Sequence, residues 1–280
     1  MLSFNDNNAN YLVVNSELVK SDTLTKDADG TIELPFEGPV IYEVIRFING
    51  KGLFVKDHFD RLKSSFKIQG IENTVDLQAF QEYASILLSV NEEKDCNVKI
   101  MSTGRDFVVY LSKKFYPSAE YYENGICTAC IQIERPSPNA KIRRSDYIER
   151  IEIFKKENEI FEALLMNAEG YLTEGSKSNL FFVRKGEPDA IYTAPSELIL
   201  EGIMRKYVID LCAEENISVK FEPVKYSALD QIEALFITGT SINVLPIAKV
   251  DEIQYNSPEN NTVIRVMHAF QNYIETITKG

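Results

Sequence analysis

Glu174-Gly-Ser-Lys-Ser-Asn-Leu-Phe181, followed by Ile191-Tyr-Thr193 and Leu200-Glu-Gly-Ile-Met-Arg205, is the stretch that decides the fold. Residues 179–183 and 190–193 are rich in β-branched and aromatic side chains between turn-forming residues, so they read as short strands. Gly202 then precedes an amphipathic helix in which Ile203, Tyr207, Val208, Leu211 and Cys212 recur at helical spacing. A glycine there lets a helix N-terminus approach a ligand closely. Such an end concentrates unpaired N–H donors and the positive pole of the dipole, which suits phosphate. A second tight turn, Thr238-Gly-Thr-Ser241, lies between two strands and offers hydroxyls and amides. Taken singly, each turn has an ordinary structural role as its simpler reading.

Working outward, strands crowd around this stretch at residues 126–134, 163–166, 171–173 and 234–238, with another ending at Val250. Helices fit residues 146–157, where Tyr147, Ile151 and Phe154 share a face, and 263–277. Towards the N-terminus, Val40-Ile-Tyr-Glu-Val-Ile-Arg-Phe-Ile reads as a strand that Asn49-Gly50 turns back towards Leu53-Phe-Val. Asp57 is expected to cap a helix over residues 58–69, in which Phe59, Leu62 and Phe66 share one face. A longer helix spans 76–90, and strands 97–102 and 107–112 meet at Gly104. The polar segment 113–125 carries Pro117 and suggests a linker. Mixed strands and helices in two halves give an α/β or α+β protein of two domains.

Composition limits the function. The 280 residues carry 30 Lys+Arg against 42 Asp+Glu, a formal charge of -12, and show no basic stripe of the kind that displaces counterions from nucleic-acid phosphates. Lys141-Ile-Arg-Arg is short and by itself reads as a solvated face. Four cysteines are too scattered for a disulfide framework. Cys127-Thr-Ala-Cys130 sits in a strand, where residues three apart face opposite ways, so the pair reads as buried strand cysteines rather than a metal or redox site. No metal site is expected. Only His58 and His268 are available to a Ser-His-Asp or Cys-His mechanism, and G-x-S-x-G, G-x-G-x-x-G and the P-loop are all missing. The polar first residues carry no signal-peptide pattern, and no stretch reaches the roughly 18 apolar residues of a membrane span. With free thiols, these features point to the cytoplasm.

The three blocks of the opening stretch, in order and spacing, resemble the signature of the class IV aminotransferases. That family includes branched-chain aminotransferases, D-amino-acid aminotransferases and aminodeoxychorismate lyase. Tyr42-Glu-Val-Ile-Arg46 and His58-Phe-Asp-Arg-Leu62 look like its N-terminal motifs, and Thr238-Gly-Thr-Ser241 like its phosphate-side turn. The resemblance runs from about Val40 to the end. It implies fold type IV, an α/β (α+β) architecture with a smaller N-terminal α/β domain (1–115), an interdomain linker (116–124) and a larger, β-barrel-like C-terminal domain with helices (125–280).

It further implies pyridoxal 5'-phosphate as cofactor. Lys141, in Pro138-Asn-Ala-Lys141, takes the place of the lysine that carries it. Glu174 corresponds to the carboxylate paired with the pyridine nitrogen, and Arg61 to the phosphate-binding arginine. The N–H groups of Ile203 and Met204, with Thr240, complete the phosphate cup. Leu200 packs on a ring face, Tyr42 stands at the substrate pocket, and the Ser241 N–H meets the substrate carboxylate. Three departures stand out, one being that Tyr110-Leu-Ser-Lys-Lys-Phe115 does not clearly reproduce either the L- or the D-specific carboxylate clamp. Thr31-Ile-Glu-Leu-Pro-Phe-Glu37 replaces the usual Asp-Arg-Gly-aromatic run, and Asp146 stands five residues after Lys141, where branched-chain members carry a tyrosine. The expected activity is amino transfer between an amino acid, branched-chain or otherwise apolar, and a 2-oxo acid, in a homodimer with the cofactor between the domains. The alternatives are an aminodeoxychorismate lyase using the same cofactor and a catalytically silent ligand-binding relative.

Overall fold

The computed structural model describes residues 1–279, and the chain forms two compact units. Unit 1 is Met1–Phe115 with Ala140–Arg143, and unit 2 is Tyr116–Asn139 with the chain from Arg144 onward.

Unit 1 is built on a six-stranded sheet in the order Glu17–Lys20, Tyr11–Val14, Phe107–Ser112, Cys96–Ser102, Ile41–Ile48, Lys51–Gly52. Every neighbouring pair is antiparallel. Both faces are covered. Helices Val55–Gln69 and Leu77–Val90 lay Phe59, Leu62, Phe66, Phe80 and Leu87 on Ile41, Ile45, Val98, Ile100, Val109 and Leu111. Leu2, Phe4, Ile32 and Leu34, from a two-stranded ribbon, cover Met101, Val108 and Tyr110 on the opposite face. That double burial is why Phe107–Ser112 is buried throughout rather than alternating.

The first helix starts earlier than its sequence suggests. Asn49 and Gly50 both take positive φ in the hairpin turn, and Phe54 (φ 52°) lets the chain enter the helix at Val55. Asp57 therefore falls inside the first turn, where a carboxylate suits the positive end of the dipole, and is not the cap. The second helix behaves as read: the Asp76 side chain accepts from the Ala79 N–H.

Unit 2 holds a ten-stranded mixed sheet in the order Ser218–Phe221, Ala190–Thr193, Asn179–Arg184, Ile232–Gly239, Asn243–Val250, Ile126–Gln132, Glu162–Met166, Tyr171–Gly175, Val224–Lys225, with Ile253–Gln254 added beside Asn243–Val250. The sheet curls: Leu172 and Val224 near one end share a core with Leu180, Phe182 and Ala190 near the other. Helix Ser145–Glu157 crosses between two parallel strands and seats Ile151 on Ala163 and Leu165. Helix Ile203–Glu214 crosses between the parallel strands Ala190–Thr193 and Ser218–Phe221. It meets the terminal helix Asn261–Thr278 through Tyr207 and Tyr273, rings 5.7 Å apart.

Residues 116–124 carry the short helix Ala119–Asn124, where the sequence suggested a linker. All four cysteines are free. Cys130 packs against the sheet core, but Cys127 is exposed, correcting the expectation that both are buried; the alternation of the strand turns Cys127 out to solvent. His268 is exposed on the terminal helix, whereas His58 is wholly buried. Among the described residues no helix is long and apolar enough to cross a membrane, and no cluster of three metal-ligating side chains occurs.

Candidate active site

In unit 1, Lys141 is stitched to the sheet edge. Its carbonyl accepts from the Tyr42 N–H at 3.2 Å, Arg143 N–H donates to Val40 O at 2.8 Å, and Ile142 bridges to Ile41. The Lys141 N–H donates to Ser65 Oγ (3.1 Å), whose hydroxyl donates to the Arg61 carbonyl. A buried serine thus couples the backbone of Lys141 to the helix that carries Arg61. The Lys141 ammonium lies 4.8 Å from the centre of the Tyr42 ring, and Lys99 lies 5.6 Å from it, both within cation–π range. Lys99 is held by Asp6 (2.8 Å), which also accepts from Tyr110 Oη (2.6 Å).

Arg61 is paired with Glu43, a carboxylate only 1% exposed. Nε donates to Oε1 at 2.7 Å and Nη2 to Oε2 at 2.8 Å, while His58 Nδ1 stands 2.9 Å from the same Oε2. Burial pushes the Glu43 carboxyl up, but the Arg61 charge and the hydrogen bonds from His58 and Arg61 outweigh it and hold the group well below the usual carboxylate range. Burial also pulls His58 down, against the pull of Glu43 and with help from Arg61 and Lys141. The ring is therefore neutral near pH 7 and donates through Nδ1.

In unit 2, Glu174 is 2% exposed at the end of its strand. Oε1 accepts from Arg135 Nε (2.7 Å) and Oε2 from the Leu200 N–H (3.2 Å). Arg135 also donates to Ser176 O at 2.8 Å and lies 5.6 Å from the centre of the Tyr147 ring. Tyr147, and not Asp146, therefore joins the Glu174 neighbourhood; Asp146 is exposed in the first turn of its helix. The turn after Glu174 is organised by a second buried carboxylate. Glu162 accepts from Ser176 Oγ, Ser178 Oγ and the N–H groups of Lys177 and Ala163, at 2.5 to 3.3 Å.

Asn179 ties the turn at Gly202 to the strand that leads into Thr238-Gly-Thr-Ser241. Its backbone pairs with Thr238, and its side chain donates to Leu200 O at 2.9 Å. Its Oδ1 approaches Gly202 so closely that a Cβ on Gly202 would lie 1.9 Å from it. Ile203 and Met204 form the first turn of a helix with no side-chain cap, and Arg205 holds that turn down through Ala194 O (2.9 Å). Thr240 and Ser241 occupy the turn closed by Ile242 N–H to Gly239 O.

The structure thus gathers Tyr42, Arg61 and Lys141 in unit 1, and Glu174, Leu200, Ile203, Met204, Thr240 and Ser241 in unit 2. The sequence reading passed over Glu43, His58, Ser65, Arg135, Glu162 and Asn179 as partners of these residues. Glu43, His58 and Asn179 stood inside the motifs already quoted; Ser65, Arg135 and Glu162 carried no signal of their own.

Comparison with known proteins agrees. The family model for amino-transferase class IV matches residues 40–250. A probable branched-chain-amino-acid aminotransferase of Rickettsia bellii is 26% identical over 267 residues, covering 90% of this chain and 91% of that protein. A D-alanine aminotransferase of Listeria monocytogenes is 26% identical over 290 residues, covering 96% of each. The branched-chain amino acid aminotransferase from T.th., solved with N-(5'-phosphopyridoxyl)-L-glutamate, superposes with a TM-score of 0.79 at 21% identity, over 97% of this chain and 95% of that one, which establishes a shared fold. The chain belongs to the class IV aminotransferases, enzymes of fold type IV that work with pyridoxal phosphate.

Proposed function

We propose that this aminotransferase takes a branched-chain or other apolar amino acid as donor, returns it as a 2-oxo acid, and passes the amino group to a second 2-oxo acid. The observation that carries the reading is Glu174, a buried carboxylate fixed on one side by Arg135 and on the other by the Leu200 N–H. The residues present fit the cofactor. Lys141 offers a primary amine on a braced backbone, and Glu174 offers a carboxylate suited to a protonated ring nitrogen. The uncapped helix start at Ile203 and Met204, with Thr240 and Arg61, offers donors suited to a phosphate.

Pyridoxal phosphate supplies, when bound, a carbonyl carbon for the substrate amine and a ring that accepts electrons. Lys141 would carry it, and its amine, when free, would take the proton from the substrate Cα and hold it on Nζ. Glu174 would keep the ring nitrogen protonated, Leu200 would pack on the ring, Tyr42 would border the substrate, and the Ser241 N–H would bind its carboxylate. A homodimer working in the cytoplasm completes the reading, and sedimentation of the purified protein tests the dimer.

The direct test is the visible spectrum of the purified protein with a panel of L- and D-amino acids, with Lys141→Ala as control. The expected result is a yellow band lost in the variant and bleached by apolar amino acids of one hand. A protein that stays colourless after addition of pyridoxal phosphate would remove the reading. The relatives named above act, by their names, on branched-chain amino acids and on D-alanine, so the panel also decides chirality.

A further inference from the structure

Glu43 has no role in the reading above, yet it is among the most deeply buried charges of unit 1. Taking a carboxylate out of water costs several kcal/mol unless its partners are well aligned. Here the alignment is close to ideal. Glu43 grips Arg61 along the Nε/Nη2 edge with two hydrogen bonds of 2.7 and 2.8 Å. A side-on pair of this kind fixes a planar guanidinium in position and in rotation, so the direction of its other edge is fixed with it.

The same carboxylate oxygen stands 2.9 Å from Nδ1 of His58, one helical turn before Arg61. Two residues of one helix are thus pinned to one residue of the neighbouring strand. His58 is neutral, and its Nε2 has no hydrogen-bond partner among the described residues. The trio therefore carries one negative and one positive charge and is balanced before any ligand arrives. One turn on, Ser65 links the Arg61 carbonyl to the backbone of Lys141, so the helix segment that Glu43 pins also braces the lysine.

We propose that Glu43 is a positioning residue that fixes the guanidinium plane of Arg61 and so aims its outer edge at the cofactor phosphate. The proposal rests on Arg61 as a phosphate ligand. Two effects oppose each other here. Glu43 repels an incoming dianion through the guanidinium, so removing it strengthens the local positive charge while losing the aim. Aim outweighs repulsion, and the sign of the measured change decides it.

The experiment compares binding of pyridoxal phosphate with binding of pyridoxal, which lacks the phosphate, to enzyme freed of its cofactor by dialysis. The readout is the ratio of the two affinities. Glu43→Gln should lower the preference for the phosphorylated form by about tenfold, with pyridoxal binding almost unchanged. Glu43→Asp keeps the charge but retracts it by one methylene, and should lower the ratio too; it serves if the glutamine variant does not fold. Arg61→Gln should lower the ratio at least as far, and the Glu43→Gln/Arg61→Gln double variant no further than Arg61→Gln alone.

If the Glu43 variants leave the ratio unchanged, raise it, or weaken both ligands equally while Arg61→Gln lowers it, Glu43 is structural and the proposal is overturned. If Arg61→Gln itself leaves the ratio unchanged, the reading of Arg61 fails first and takes the proposal with it.

Discussion

In the unit that carries Lys141, the charged groups are held by other side chains: Arg61 by Glu43, Glu43 by His58, Lys99 by Asp6. In the unit that carries Glu174, much of the work falls to the backbone. Glu174 accepts from an amide as well as from Arg135, Glu162 from two amides and two hydroxyls, and the donors we propose for a phosphate are the amides of a helix start and a turn. The first arrangement answers to charge and pH. The second answers to the presence of an acceptor or the intrusion of a Cβ, because amides do not titrate and turns have little room.

The largest effect is expected at Glu174. Glu174→Gln keeps the side chain's shape and its acceptor for one neighbour, so the protein should fold, while kcat falls by at least about a hundredfold if the carboxylate charge serves the ring nitrogen. Steady-state kinetics of the cofactor-loaded variant check this. A near-normal kcat would make Glu174 a structural acid like Glu162 and erase the functional half of the contrast. Glu162→Ala should do the reverse. It strips two hydroxyls and two amides of their acceptor, and a loss of about 3 kcal/mol is expected, read from the denaturant midpoint.

Gly202→Ala comes next. The new methyl would lie 1.9 Å from Asn179 Oδ1, so the amide must swing away and surrender its bond to Leu200 O. The cost should be about 1–3 kcal/mol. Adding Asn179→Ala should cancel the steric part, so the double variant should be clearly less damaged than the sum of the singles. Strict additivity of the denaturant midpoints would show that the close approach carries no strain.

Much of the fold was legible in the chain, but the partners that make this division were not. The helix at Val55–Gln69 follows from Phe59, Leu62 and Phe66 on one face, and the two strands within residues 179–193 follow from composition. The helix start escaped because Phe54 enters through a left-handed conformation that no residue type announces. The strands Leu2–Phe4 and Ile32–Leu34 escaped because three residues carry too little periodicity, and their stability comes from the sheet they cover. Lys141 is assigned by resemblance alone; by chemistry it is one lysine in a basic run. Glu43 and Arg61 lie 18 positions apart, and nothing local links an acid on a strand to a base on a helix.

The pH response should separate the units further. His58 has its folded pKa below the ordinary 6.5, so the unfolded chain takes up a proton there before the folded one does. Its contribution to stability is full above about pH 6.5 and is lost as pH falls. Glu43 is also held below its ordinary 4.5, and its contribution is lost in turn below that value. Thermal midpoints should therefore begin to fall on acidification below about pH 6.5. The first part of that fall should be absent in His58→Gln. A wild-type midpoint that stays flat down to pH 5 would mean that His58 is not held neutral.

The smallest effect is expected one residue from Arg61. Lys56 and Asp60 form an i,i+4 pair at 2.5 Å on the same helix, with side chains 78% and 53% exposed, against 11% and 1% for Arg61 and Glu43. The exposed pair is a single contact and the buried one a two-bond fork, and the two differ most in solvent. Water screens the exposed pair, holding the long Lys56 side chain in one geometry costs entropy, and the order Lys before Asp is the weaker one against the helix dipole. Lys56 also sits near the positive end of the helix, which offsets part of what the pair gains. Asp60→Asn should shift stability by no more than about 0.5 kcal/mol, with cofactor binding unchanged. If the denaturant midpoint instead moves as far as it does for Glu43→Gln, burial is not what separates the two pairs, and the case for side-chain control in this unit weakens to one of proximity.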